Sequence, residues 1–107
     1  SADKLGMAFD LAHATIEGGQ CWPLHVNLMW PYVQSLYVKD FVWNGNEVQW
    51  TPLGAGRIDS TFYRQLSRRG FRGPLSVHVE YLDHGDLQQQ LTAFKQDLEQ
   101  LRQWLRS

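Results

Sequence analysis

Met7-Ala8-Phe9-Asp10-Leu11-Ala12-His13 is a short apolar run that closes on an aspartate and a histidine. Just before and within it, Leu5, Met7 and Phe9 alternate with Gly6, Ala8 and Asp10. That is the two-residue period of a strand, with one bulky face and one small face ending in a carboxylate. Two later runs share the design: Leu36-Tyr37-Val38-Lys39-Asp40 and Val77-His78-Val79-Glu80. Strands that end in ionisable groups, separated by stretches long enough for a crossover helix, point to a parallel sheet with its site along the rim at the carboxyl ends. The fold class predicted is α/β, from repeated βα units.

Working outward, Gly18-Gly19 breaks the segment after the first strand, and residues 22–33 read as a helix. Pro23 is tolerated in its first turn, whereas Pro31 ends or kinks it by removing a backbone donor. The second strand is expected at residues 35–38 or a little beyond, and residues 41–56 read as a long polar-aromatic loop. Asp59 or Ser60 caps the next helix, with Ile58, Phe62 and Leu66 on one side and Gly70 as its stop. Arg72-Gly73-Pro74 turns into a third strand at residues 75–81. Gly85-Asp86 opens a final helix whose stripe of Leu87, Leu91, Phe94, Leu98, Leu101 and Leu105 is expected to pack on the sheet.

With 107 residues, 43% of them apolar and 13% aromatic, the chain fits one modest globular domain spanning 1–107. Ten basic residues against eleven acidic ones leave no electrostatic footprint for nucleic acid. No apolar run approaches the roughly 18 residues that cross a bilayer, so no membrane is expected. The opening Ser1-Ala2-Asp3-Lys4 lacks the regions of a signal peptide. The single cysteine, Cys21, excludes an internal disulfide and fits a reducing compartment, so the expected location is cytoplasmic. Its neighbours Gln20 and Trp22 supply no activating base, and it reads as a packed thiol.

Strand parity sharpens the site. Ser76, His78 and Glu80 share a face opposite Val77, Val79 and Tyr81, and Tyr37 and Lys39 lie opposite Leu36 and Val38. If the apolar faces meet helices, the polar faces converge inside a barrel mouth, bringing together Asp10, His13, Lys39, His78 and Glu80. Carboxylate oxygens with imidazole nitrogen suit a divalent cation such as Mn²⁺, Mg²⁺, Co²⁺ or Zn²⁺. The spacing Asp-x-x-His is common by chance and does not decide the point.

Phe9-Asp10-Leu11-Ala12-His13-Ala14, Tyr37-Val38-Lys39-Asp40-Phe41, Leu53-Gly54-Ala55-Gly56-Arg57-Ile58-Asp59 and Gly73-Pro74-Leu75-Ser76-Val77-His78-Val79-Glu80-Tyr81 follow one another at fitting distances. In that order they resemble the signatures of the xylose-isomerase-like TIM-barrel superfamily, over nearly the whole chain. The superfamily includes sugar and sugar-phosphate isomerases and epimerases, inosose dehydratases and type IV apurinic endonucleases. The resemblance implies the carboxyl-terminal part of a (β/α)8 barrel, about three βα units forming strands six to eight. A whole barrel takes about 250 residues. Three parallel strands alone leave two open edges, so self-association or a missing amino-terminal half-barrel is expected.

By motif position, Asp10 and Glu80 match two of the family's metal-binding carboxylates, and His13 matches a histidine that contacts substrate or metal. Tyr37 stands where the family has a histidine; a phenol with a pKa of about 10 is a poor replacement for imidazole. A weaker metal site follows, or a shifted one through His78. Lys39 matches the family lysine and either steadies a substrate oxyanion or phosphate or forms a buried pair with Asp40. Parity makes Asp40 structural. Ala55 replaces a frequent glutamate, and Gly54-x-Gly56 is either a phosphate cradle or a plain turn. Trp43 and Trp50 are candidates for walling a sugar pocket, while Trp30 reads as helix packing, and His25 and His84 as surface or packing residues.

The activity implied is proton transfer next to a carbonyl of a small carbohydrate, with Glu80 as ligand and acid/base. The isolated chain would be inactive without the opposing glutamate. An inosose-dehydratase-type lyase, or a metal-less barrel with a binding or structural role, are the alternatives. An apurinic endonuclease would need an Asp-x-His pair after the second strand and a basic surface, and has neither here.

Overall fold

A computed structural model describes residues 6–79, 81, 82 and 86–106. Leu5, Glu80, His84 and Gly85, each used in the reading above, lie outside the described residues. Strand β1 (Met7–Asp10) leads into helix α1 (Leu11–Gly18). A 3-10 turn (Gly19–Cys21) joins it to α2 (Trp22–Met29), and a second turn (Trp30–Tyr32) leads to β2 (Val33–Val38). Then come β3 (Asp40–Asn44), β4 (Glu47–Thr51), the short α3 (Thr61–Arg64), β5 (Leu75–Val77) and α4 (Leu87–Arg106).

The parallel sheet runs β1-β2-β5, and β3 and β4 form a separate antiparallel pair. Register makes the two faces of the parallel sheet different. Phe9, Leu36 and Leu75 lie side by side, and Val38 pairs with Val77. Phe9, Leu36 and Val38 are buried under the helices. Asp10, Tyr37 and Ser76 line up on the other face, where Tyr37 and Ser76 are exposed. The expected parity therefore holds on these strands, and the polar face is uncovered among the described residues.

The helical side is held by aromatics. Phe62 sits among Phe9, Trp22, Trp30 and Tyr63 at centroid distances of 5.8, 6.0, 6.5 and 5.1 Å. Tyr63 stacks on Trp104 of α4 at 5.5 Å, with 12° between the rings. Mostly edge-on contacts of this kind add about 1 kcal/mol each beyond the area they bury. Trp30 is a packing residue, against Phe62 and Phe71, with the Arg69 guanidinium 5.2 Å from its ring.

Several expectations shift. The helix expected over 22–33 ends at Met29, because Pro31 tightens the chain into a 3-10 turn. Residues 41–56 hold the β3–β4 hairpin rather than a loop. Its two-residue connection starts at Gly45, which has φ 63°, a left-handed value that glycine adopts without steric cost. The third helix is only four residues long. The Gln65 amide is shared between Thr61 and Phe62, and the Leu66 amide then bonds Tyr63, so the bonding slips to three-residue spacing. Cys21 is exposed at the end of its turn rather than packed.

Helix α4 begins with a reciprocal cap: the Gln89 amide donates to Asp86 Oδ1 at 2.8 Å and the Asp86 amide to Gln89 Oε1 at 3.0 Å. The buried positions of α4 are Ala93, Asp97, Leu101 and Trp104. The expected stripe is only partly covered, since Leu87, Leu91, Phe94 and Leu105 are exposed. Asp97 replaces an apolar residue on the buried face because its Oδ1 accepts the Leu53 amide at 3.2 Å. Burial raises its pKa above the usual carboxylate value, with the Leu53 bond working against that rise. No helix among the described residues is long and apolar enough to cross a membrane.

Candidate functional site

Asp10 ends β1 and begins α1. Its Oδ1 accepts the His13 amide at 3.2 Å, the bond of a helix N-cap. Capping fixes the carboxylate at the strand's carboxyl end. Its Oδ2 lies 3.4 Å from Lys39 Nζ and 3.8 Å from His13 Nε2. Lys39 is only 7% exposed, so the ion pair is one a buried ammonium requires. Its Nζ also sits 4.3 Å from the centre of the Trp50 ring, and His13 meets the same ring edge-on at 5.5 Å.

Asp10, His13 and Lys39 are thus brought together, with Trp50 as wall. Among the described residues Lys39 forms an ion pair with Asp10 and not with Asp40. The reason is parity: Lys39 follows Tyr37 on the face that carries Asp10, and Asp40 points the other way. Tyr37 occupies the middle of the open face with its ring 4.8 Å from that of His78.

Asp40 is almost fully buried, and its carboxylate organises the loop between β4 and α3. Oδ1 accepts the amides of Phe41 at 2.8 Å and Ile58 at 3.1 Å, and Oδ2 those of Gly54 at 3.1 Å and Gly56 at 3.0 Å. The Gly54-x-Gly56 amides are therefore committed to Asp40, which removes the phosphate-cradle reading. A Cβ on Gly56 would overlap the Asp40 carboxylate and the Phe41 carbonyl oxygen, so only glycine fits beside the carboxylate.

Trp43 lies on the same hairpin face as Trp50, one cross-strand step farther out, and packs edge-on against Phe41 at 5.7 Å. It lines a different hollow of about 390 Å³ with Trp22, Gln20, Arg57 and Asp59. His25 and Met29 of α2 line another, of about 220 Å³, beside Met7, Phe9 and Asp10. The alternation Phe41, Trp43 and Val48, Trp50 around Gly45-Asn46 was the signal that would have placed Trp50 on a hairpin facing α1.

Among the described residues no group of three or more His, Cys, Asp or Glu side chains is placed to hold a metal ion. Asp10 and His13 offer two donors, but Oδ2 of Asp10 is already shared with an ammonium. These residues by themselves do not fit a cation; they form a charged pair beside an imidazole and an indole.

No protein-family model matches the chain, and no curated protein matches it. A solved structure, a xylose isomerase domain protein from Planctomyces limnophilus, is similar to it with a TM-score of 0.61 and 24% identity. The similarity covers 96% of this chain and 43% of that one, so this chain spans less than half the length of that neighbour. The fold is xylose-isomerase-like, an α/β arrangement consistent with part of a TIM barrel.

Proposed function

We propose that the chain supplies the carboxyl-terminal part of a TIM barrel, three βα units corresponding to strands six to eight, in a sugar or sugar-phosphate isomerase or epimerase. The observation that carries this reading is the meeting of Asp10, His13 and Lys39 beside the Trp50 ring, at the rim of an uncovered polar sheet face. An indole suits the apolar side of a sugar ring. A buried ammonium paired with a carboxylate at the rim suits a substrate oxygen that gains negative charge. His13, exposed at the rim, is suited to a substrate hydroxyl, and Trp43 to a more distant part of the ligand. Glu80 is the acid/base of the reading, moving a proton at the carbon next to the carbonyl.

A divalent cation, Mn²⁺, Mg²⁺, Co²⁺ or Zn²⁺, belongs to this reading only if Glu80 and a carboxylate from outside the chain join Asp10 and His13. A metal-less barrel that binds a carbohydrate is the second reading, favoured by the Lys39–Asp10 pair, which already neutralises the Asp10 charge.

Saturation-transfer NMR with a panel of aldoses, ketoses and their phosphates tests the carbohydrate part. Binding that is lost in Lys39→Met is expected; absence of any transfer across the panel sinks it. Titration with Mn²⁺ separates the two readings, because selective broadening of the His13 ring signals supports the metal and its absence leaves the metal-less barrel.

A further inference from the structure

One hollow of the molecule, of about 390 Å³, shares no residue with the Asp10, His13 and Lys39 rim. It lies between α1, its following turn and the start of α2 on one side and β3 with the loop before α3 on the other. Its lining takes nothing from β1, β2 or β5, so it belongs to the space between two consecutive units of the chain and not to an outer edge of the sheet. The Trp22 and Trp43 indoles are its apolar walls, and Gln20, Arg57 and Asp59 bring polar groups to it. Among the described residues the Arg57 guanidinium and the Gln20 carboxamide have no hydrogen-bond or ion-pair partner. Of the Asp59 carboxylate, only Oδ1 is engaged among the described residues, by the Thr61 amide at 2.9 Å.

The walls are held from behind. Trp22 meets Phe62 edge-on at 6.0 Å and Trp43 meets Phe41 edge-on at 5.7 Å, and both phenylalanines are buried. The Arg57 amide donates to the Phe41 carbonyl at 2.7 Å and the Ile58 amide to Asp40 Oδ1 at 3.1 Å, which ties the loop carrying Arg57 and Asp59 to the core. A site whose walls are already fixed loses little freedom when a ligand enters.

We infer that this hollow is a subsite for one uncharged sugar unit, apart from the rim. It deepens the carbohydrate reading above, on which it rests for Trp43 as a sugar wall. The class of ligand follows from the groups present. Arg57 and Asp59 carry opposite charges, so an anion that meets the guanidinium is set against the carboxylate, and a cation the reverse. A flat aromatic ligand would fill the space between the indoles but take their polar neighbours out of water without replacing the lost hydrogen bonds. A ring with several hydroxyls satisfies all three groups. Its oxygens accept from Arg57, a hydroxyl donates to the open Asp59 oxygen, and Gln20 serves either role. The apolar face of the ring then lies on an indole. The volume is near the lower end of the roughly 300–1,000 Å³ of small-molecule sites, which suits a single ring.

The test is a titration of the full ¹⁵N-labelled chain with neutral methyl glycosides of the common hexoses and pentoses, and separately with inorganic phosphate, followed through the indole N–H signals. The Trp22 and Trp43 signals are expected to shift with at least one glycoside and not with phosphate. Arg57→Leu should weaken that binding at least about tenfold, because it removes hydrogen bonds from a charged donor. Asp59→Asn keeps an acceptor for the Thr61 amide and should weaken it too. Both positions are exposed, and an unmoved Trp104 signal shows that each variant is folded. Glycosides that leave Trp22 and Trp43 unmoved overturn the proposal, as does binding that neither variant weakens. Shifts with phosphate alone overturn it in favour of an anion. Shifts abolished by Lys39→Met place the sugar at the rim and overturn the separate subsite. Shifts that survive Lys39→Met support the hollow even where the rim binds nothing, so the two readings fail separately.

Discussion

Asp40 and Asp10 lie on either side of one lysine's surroundings and do opposite work. Every oxygen of Asp40 is consumed by main-chain amides of Phe41, Gly54, Gly56 and Ile58, so its charge is spent inside the fold. Asp10 gives one oxygen to a helix cap and turns the other towards Lys39 and His13 at an open rim. A carboxylate surrounded by main-chain donors holds a loop; one shared with side-chain donors at a rim faces the place where a ligand would sit. The contrast locates the site better than the residue types do.

The contrast is sharpest if Asp40 is removed. Asp40→Ala leaves four amide donors without their acceptor and is expected to cost roughly 4 kcal/mol or more, read as a lower urea midpoint. A loss below about 1 kcal/mol would mean that water replaces the carboxylate and that the loop does not depend on it. Asp10→Asn keeps the cap and removes the charge, and should cost about 3 kcal/mol by weakening a buried ion pair. Asp10→Ala should lose about 1 kcal/mol more. If the two variants are equally stable, the cap contributes nothing and only the charge matters.

Smaller effects separate buried polar groups that have partners from those that lack them. The Tyr63 hydroxyl is buried without a hydrogen-bond partner among the described residues, and burial together with the charges of Asp10 and Asp40 raises its pKa. Tyr63→Phe keeps the stack on Trp104 and should raise stability by about 1 kcal/mol in thermal unfolding; a lower melting temperature would reveal a bonded hydroxyl. Asp97→Asn retains an acceptor for Leu53 and should alter the slope of stability with pH more than its level. The folded-state pKa of Asp97 lies above the unfolded value of about 3.9, so its contribution is fully present below that pH and is lost as pH rises. Equal urea midpoints for the two proteins near pH 3, diverging towards neutrality with the variant more stable, are the expected outcome. Parallel curves would contradict it.

Much of this was legible in the strands, because a period of two assigns faces without knowing the fold. Phe9, Leu36 and Val38 went to the core and Asp10, Tyr37 and Lys39 to the other side, as alternation requires. The hairpin was hidden by its own polarity: Asn44, Asn46, Glu47 and Gln49 make residues 41–56 read as a loop, although Gly45 supplies the turn. Parity already turned Asp40 away from the Lys39 side, but that Asp10 is the carboxylate Lys39 meets needed the register of β1 on β2. The burial of α4 was misread because the stripe counted leucines and missed Asp97, whose partner Leu53 is 44 positions away. Glu80, central to the functional reading, lies outside the described residues.

The distribution of indoles gives the molecule a built-in optical record of its own states. Trp104 is enclosed in the core against Tyr63, Trp50 lies under the Lys39 ammonium, and Trp43 stands nearly half exposed on the hairpin. Their emission should therefore fall in separate spectral positions, with Trp104 towards the blue and Trp43 towards the red. Collisional quenchers would reach Trp43 first, and an excited Trp50 would sense any change in the charge held above its ring. Single tryptophan-to-phenylalanine variants would assign each component, allowing unfolding, hairpin motion and rim chemistry to be followed separately in one sample without any attached dye.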